Sequence, residues 1–168
     1  MNRFPMPLRV ELFQDGSGGQ TLAGFMYQDP DCGLVQVPAG FDTDFASVRP
    51  LRTMSLVALA LSLAIGALGI VAGWLGVALL GGVMACLGGA LGALGFGVLL
   101  LYAAVVGYGN GPAVIHDHLY TTGELSRQAS DLVFYNALRS SGSARWRAWL
   151  MWAGVRVGGA TRYRETKS

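Results

Sequence analysis

His116, Asp117 and Tyr120 fall within about one turn of a predicted helix, and Asp131 follows on the next one. His116 and Tyr120 are four residues apart and share a helical face. An imidazole beside a carboxylate is the equipment of general acid–base catalysis, with the acid orienting the ring. Asp131 can hold the imidazole tautomer, and Asp44 can approach from the strand region. The catalytic candidates are therefore His116, Asp117, Tyr120 and Asp131. The same four side chains could instead form a buried hydrogen-bonded network that ties the helices to the strands, since satisfied polar networks give small cores specificity. A metal site using His116, Asp117, His118 and Asp131 is geometrically poor. His116 and His118 point about 200° apart on a helix.

These residues need elements to position them. Gly111-Pro112 opens a helix running to about Tyr120 and stopping before Gly123, with proline at the first helical position. Ser126 caps a second helix, Arg127–Ser140, ended by Gly142. Ser143 caps a third, Ala144–Val157, stopped by Gly158-Gly159. On that third helix Trp146, Trp149, Leu150, Ala153 and Val157 form one apolar face, expected in the core. Trp152 and the arginines 145, 147 and 156 are left for headgroups or a partner. Upstream, Leu8, Val10 and Leu12 alternate with Arg9 and Glu11, a half-buried strand. Leu22–Tyr27 and Leu34–Val37 are further strands, and 15–19 reads as a turn. The expected fold class is α+β: a small antiparallel β meander packed with three helices.

That fold is interrupted. Residues 53–107 carry no charged side chain. A membrane-spanning helix needs about 20 apolar residues, so this stretch suffices for two and a turn. The spacing predicts a two-helix transmembrane hairpin, Met54–Trp74 and Val83–Val106, with the turn around Gly76–Gly82 and Gly81-Gly82 as its breaker. Trp74 and Tyr102 sit near helix ends, where interfacial aromatics belong. Gly69 and Gly73, and Gly88 and Gly92, are four apart, a spacing that lets helices approach closely, either each other or copies of themselves. The chain thus divides into 1–52, the β part; 53–107, the hairpin; and 108–168, the helical part of the same water-facing domain.

The net charge of +2 conceals a gradient: 1–52 is acidic on balance and 108–168 basic. A basic segment beside a membrane hairpin suits anionic headgroups, and no nucleic-acid reader motif accompanies it. Arg49 and Arg52 abut the first helix, which predicts that both flanking parts are cytoplasmic when a cell inserts the chain. Cys32 and Cys86 lie in a polar turn and an apolar helix, so no disulfide is expected. The N-terminal residues lack the apolar core of a signal peptide.

Three segments carry a family resemblance. Residues 35–48, VQVPAGFDTDFASV, then 113–120, AVIHDHLY, and then Arg127, Ser130, Asp131, Phe134, Ala137 and Leu138 resemble, in order, motifs of the DUF1353 domain-of-unknown-function family found in tailed phages and prophages. Two departures stand out. An arginine interrupts the Ser47-Val48-Arg49-Pro50 run, and the hairpin replaces what is a short linker in the family. The resemblance implies phage or prophage origin and no particular reaction.

A weaker similarity links Tyr108-Gly109-Asn110-Gly111 and His116-Asp117-x-x-Tyr120 to phospholipases A2. It implies His116 as base, a calcium loop at Tyr108, Gly109 and Gly111, Asp117 as metal ligand, and Tyr120 with Asp131 in support. The loop lies too near His116 for that family's spacing, and its disulfide frame is missing. The leading expectation is thus a non-enzymatic phage structural protein, a virion part of the tail tip or injection apparatus whose hairpin enters the host membrane. It needs no cofactor, and its partners are the lipid bilayer and other phage proteins or copies of itself. A membrane-bound phospholipase A2-like hydrolase that cleaves lipid esters with the His116–Asp117 pair and calcium, and a lysis or superinfection-exclusion membrane protein, are the alternatives.

Overall fold

The computed structural model describes residues 2–45, 49–107 and 109–163. They form two compact units. The first comprises 1–47 and 107–168, and the second 48–106.

The first unit is α+β. Its strands are β1 (Val10–Leu12), β2 (Gly19–Thr21), β3 (Phe25–Asp29), β4 (Gly33–Val37) and β5 (Asp42–Thr43). They do not form one meander. β2 pairs antiparallel with both β1 and β5, and β3 pairs with β4 as a separate hairpin. The expected turn is present at 14–17, and β2 starts at its last expected residue, Gly19, because Gly18 and Gly19 permit a close approach of strands. A Cβ at Gly19 would come 2.7 Å from the Glu11 carbonyl oxygen. The β3–β4 pair alternates, burying Phe25, Tyr27, Val35 and Val37. Leu12, expected inward, is exposed.

Three helices complete this unit: α3 (Asn110–Thr122), α4 (Arg127–Ser140) and α5 (Arg145–Gly158). α3 ends where Gly123 adopts φ +66°. Ser126 caps α4 by accepting from the Ala129 N–H. α4 closes in a Schellman arrangement: the Ser143 N–H reaches the Leu138 carbonyl, the Gly142 N–H reaches that of Arg139, and Gly142 sits at φ +92°. Ser143 does not cap α5. Ala144 occupies that position without a side-chain bond, and the Ser143 carbonyl accepts from Arg139 instead. The core joins β3 and β4 to Val114, Ile115 and Leu119 of α3 and Val133 and Ala137 of α4.

α5 is rotated from its expected setting. Ala148, Met151 and Val155 are buried, whereas Trp146 is 55% exposed, Trp149 60% and Val157 88%. The tryptophan face is the outer face.

The second unit is α1 (Arg49–Trp74) and α2 (Ala78–Val105), packed antiparallel. The turn between them is shorter and earlier than expected. The Val77 N–H bonds the Ala72 carbonyl and the Gly76 N–H that of Gly73, with Gly76 at φ +79°. That is again a Schellman stop, and it leaves Gly81-Gly82 inside α2. Gly81 is no breaker but a contact. A Cβ there would meet the Gly69 oxygen at 3.0 Å and the Gly73 nitrogen at 3.1 Å. Gly88 abuts Gly66 and Ser62 in the same way, and Gly95 abuts Ala58 and Leu59. Gly92 faces the Ser62 hydroxyl, which donates 2.7 Å to the Gly88 carbonyl. Gly69, Gly88 and Gly92 thus pack α1 on α2 within one chain, and Gly73 presents its backbone to Gly81. The seven-residue spacing of Gly81, Gly88 and Gly95 keeps one seam facing the partner helix.

Candidate functional site

α3 and α4 bring three of the four candidate residues together. Asp131 is fully buried, and one of its oxygens accepts from Tyr120 Oη at 2.5 Å and lies 3.0 Å from His116 Nε2. A carboxylate only accepts, so Nε2 carries the proton. The other oxygen takes Nη1 of Arg156 at 2.8 Å. Arg127 then closes the circuit. Its Nε lies 3.4 Å from Tyr120 Oη, and its Nη2 donates to the Arg156 and Val155 carbonyls at 2.5 and 3.4 Å. The His116 ring packs against the rings of Tyr120 and Phe134, with centroids 4.0 and 4.9 Å away. Burial alone would raise the Asp131 carboxyl. The bonds from His116, Tyr120 and Arg156 outweigh it and hold the group below the usual carboxylate range. Burial, with the bond to Asp131, pushes the Tyr120 hydroxyl up to about 12.

Asp117 is not part of this cluster. One residue along a helix is about 100° of rotation, so it leaves the face that His116 and Tyr120 share. Its Oδ2 accepts from Thr43 Oγ1 at 2.5 Å, tying α3 to β5. Burial pushes its carboxyl up to about 6. The Thr43 bond opposes that rise, Asp44 adds to it, and the charges of His116 and Arg162 oppose it. Asp44 is engaged by Arg162 at 3.1 Å. His118 is buried edge-on to Phe41, and Glu124 stands 3.5 Å from its Nε2, long for a hydrogen bond. Burial lowers its basicity.

The glycines assigned to a calcium loop have apolar neighbours. A Cβ on Gly109, at φ +86°, would strike Leu138 Cδ2 at 2.5 Å, and one on Gly111 would meet the Phe25 ring at 3.1 Å. Tyr108 lies outside the described residues. Among the described residues no three His, Cys, Asp or Glu side chains gather as a metal site. A cleft of about 560 Å³, lined by Phe4, Met6, Phe25, Asn110 and Ser143 among others, contains none of the network side chains.

Residues 97–155 match a family model described as a protein of unknown function (DUF1353). The match runs from the last third of α2 into α5. It takes in His116, Asp117, Tyr120, Arg127 and Asp131. Arg156 follows directly after it. The β strands, α1 and the 35–48 segment lie outside the matched residues, and 46–48 also lie outside the described ones. No curated protein and no solved structure matches the chain.

Arg127 and Arg156 were missed as network members. In the sequence Arg127 stands only as part of the helix motif, and Arg156 falls outside the apolar face of the third helix. Charge alone does not reveal that an arginine faces a buried carboxylate. The nearest signal was Asp131 itself, flanked by the apolar positions Val133, Phe134, Ala137 and Leu138 of one buried face and thus in need of a counter-charge.

The second unit offers a surface rather than a site. Arg52–Trp74 and Ala78–Val105 have 23 and 28 residues and are long and apolar enough to cross a membrane. At 1.5 Å per residue they extend about 34 and 42 Å, against about 30 Å of hydrocarbon. Only 11% of each apolar window is buried within the molecule. Leu63, Ile70, Leu79, Leu94 and Phe96 are all exposed, and Trp74 is 92% exposed. Tyr102 is partly buried near the opposite end of the pair.

Proposed function

We propose that α1 and α2 enter a lipid bilayer as a helical hairpin and hold the α+β unit at its surface. The observation that carries this reading is the exposure of the pair. The core helix of a water-soluble protein is mostly covered, whereas here the helices bury little beyond the glycine seam and leave their leucines open. So large an apolar surface is a membrane or partner surface, not a solvent-facing one. Away from their ends, both helices satisfy their backbone groups by helical bonding, as lipid requires.

The resemblance of 35–48, 113–120 and the Arg127–Leu138 helix to a family of tailed phages and prophages supports a phage structural protein, a virion component whose hairpin meets the host membrane. The His116–Tyr120–Asp131 cluster supports a structural role rather than hydrolysis. Its carboxylate is saturated by three donors and sealed from water, and the neighbouring cleft does not reach it.

Topology is tested with single cysteines in a Cys32→Ser/Cys86→Ala background. Gln14→Cys and Gln128→Cys should react with an impermeant maleimide from one side of reconstituted vesicles, and Leu75→Cys from the other. Labelling of Gln14→Cys and Gln128→Cys from opposite sides, or release of the chain by alkaline carbonate, would overturn the hairpin. Peptides of this chain in purified phage particles would support the virion role; their absence would refute it. Calcium-dependent fatty-acid release abolished by His116→Ala would reverse the structural reading of the cluster.

A further inference from the structure

We propose that the outer face of α5 is a docking surface for an anionic lipid bilayer; this goes beyond the hairpin and rests on the reading that α1 and α2 enter one. Trp146, Trp149, Ala153 and Val157 follow one another on a single face, and it points away from the core formed by Ala148, Met151 and Val155. Two half-exposed indoles on one helix are costly in water and unusual on a surface with no partner.

Charge identifies the occupant. At about 100° per residue, Arg145 and Arg147 lie on opposite flanks of the tryptophan stripe, each about 100° from Trp146. Arg147 has its guanidinium carbon 5.0 Å from the Trp146 ring centroid. Arg156, the third arginine of the helix, is committed to Asp131. Residues 145–158 contain no acidic side chain, and 164–168 add Arg164 and Lys167 against Glu165, Arg162 being paired with Asp44. An apolar stripe rich in tryptophan with arginines on both edges is the pattern of a helix lying in the headgroup plane, indoles at the acyl boundary and guanidinium groups on phosphates. The hairpin would keep α5 tethered to the same bilayer, so modest surface affinity would suffice.

The test uses the full chain reconstituted in vesicles of brominated phosphatidylcholine, with and without phosphatidylglycerol. Trp74→Phe/Trp152→Phe leaves emission from Trp146 and Trp149 alone. A companion carrying Trp146→Phe, Trp149→Phe and Trp152→Phe reports on Trp74. The expected result is a blue shift and bromine quenching of Trp146 and Trp149 that strengthen with phosphatidylglycerol. High salt, or Arg145→Glu/Arg147→Glu, should return the quenching to its level in phosphatidylcholine alone. If Trp74 is quenched while Trp146 and Trp149 stay open to iodide in both vesicle types, the α5 proposal fails and the hairpin stands. If Trp74 is not quenched either, both fail. A blue shift without quenching that grows with protein density would mean that a second copy covers the face, and it too would overturn the lipid assignment.

Discussion

Asp131→Ala is the sharpest perturbation the α+β unit offers. The substitution removes a carboxylate that accepts from His116 Nε2 at 3.0 Å, Tyr120 Oη at 2.5 Å and Arg156 Nη1 at 2.8 Å. His116 and Tyr120 are 4% and 5% exposed, so water cannot replace the lost acceptor. A buried donor left without a partner costs about 1–3 kcal/mol. Arg156 contributes less, because its side chain is about a third exposed and can turn to solvent. The sum is about 3–5 kcal/mol, the range seen when one member of a buried ion pair is deleted. Small domains have a total stability of about 5–15 kcal/mol, so the loss should bring melting down by roughly 15 °C or more. The hairpin helices would persist in detergent and mask the change in far-ultraviolet dichroism. Near-ultraviolet dichroism, which reads the tertiary packing of Tyr27, Tyr120 and Trp152, is the proper probe. Asp131→Asn, which keeps the shape and one acceptor, should fall between parent and alanine variant. The network would lose its structural standing if Asp131→Ala melted within about 1 kcal/mol of the parent, since surface substitutions alone give about 0.5 kcal/mol.

Other consequences follow from the same geometry. Burial pushes the Asp117 carboxyl up to about 6 from an ordinary 3.8, so the folded unit binds more protons between those values. Its contribution is therefore present in acid and lost as pH rises towards 6, by up to about 3 kcal/mol; denaturant titrations across that window should show the fall, and Asp117→Asn should abolish it. Asp131 behaves oppositely, its contribution being lost as pH falls below the ordinary carboxylate range. In the helix pair, Gly88→Leu should loosen the seam by about 1–3 kcal/mol, because its Cβ would lie 3.1 Å from the Gly66 nitrogen, while Gly89→Leu has open space. The two variants compared by energy transfer between helix ends in detergent separate packing from mere hydrophobicity. Gly109→Ala should cost about 2 kcal/mol or more through its positive φ and the Leu138 clash, and calcium added to the parent should leave melting unchanged.

Helices were more legible than strands, for physical reasons. α4 carries its start and stop in its own residues, a serine cap at Ser126 and a left-handed Gly142, and its bounds follow directly from the sequence. β2 and β5 have three and two residues and exist through pairing, which no local pattern reports. Gly81-Gly82 reads locally as a breaker, yet helix interiors shielded from water tolerate glycine where another backbone must come close. The seven-residue spacing of Gly81, Gly88 and Gly95 was the available signal. α5 has two apolar arcs, Trp146/Trp149/Val157 and Ala148/Met151/Val155. Periodicity weights the larger side chains, whereas packing against α4 places the smaller arc inside. In the polar cluster, His116 and Tyr120 were paired by helical spacing. Asp117 separated from them because it points off their face and finds Thr43 from a strand too short to anticipate.

The interruption between β5 and α3 is compatible with one cohesive α+β unit for a reason that lies in the hairpin. That unit's core crosses the break: Phe25, Tyr27, Val35 and Val37 pack with Val114, Ile115, Val133 and Ala137. Thr43 bonds Asp117, and Asn136 donates to Asp29 at 3.2 Å, each joining residues on either side of the insertion. Joining two such stretches through a flexible loop carries an entropy cost that grows only as the logarithm of length, about 0.6 kcal/mol per doubling. A paired α1–α2 costs less still, because Gly95 packs on Ala58 and Leu59 and so returns the second helix beside the start of the first. The seam that does this is made of glycine backbones and the Ser62 hydroxyl, all internal to the pair. The Asp131 network is likewise internal to the α+β unit. Each part thus carries the contacts that specify its own packing, and helices of this length can be set between strand and helix without drawing on the polar groups that hold the α+β core together.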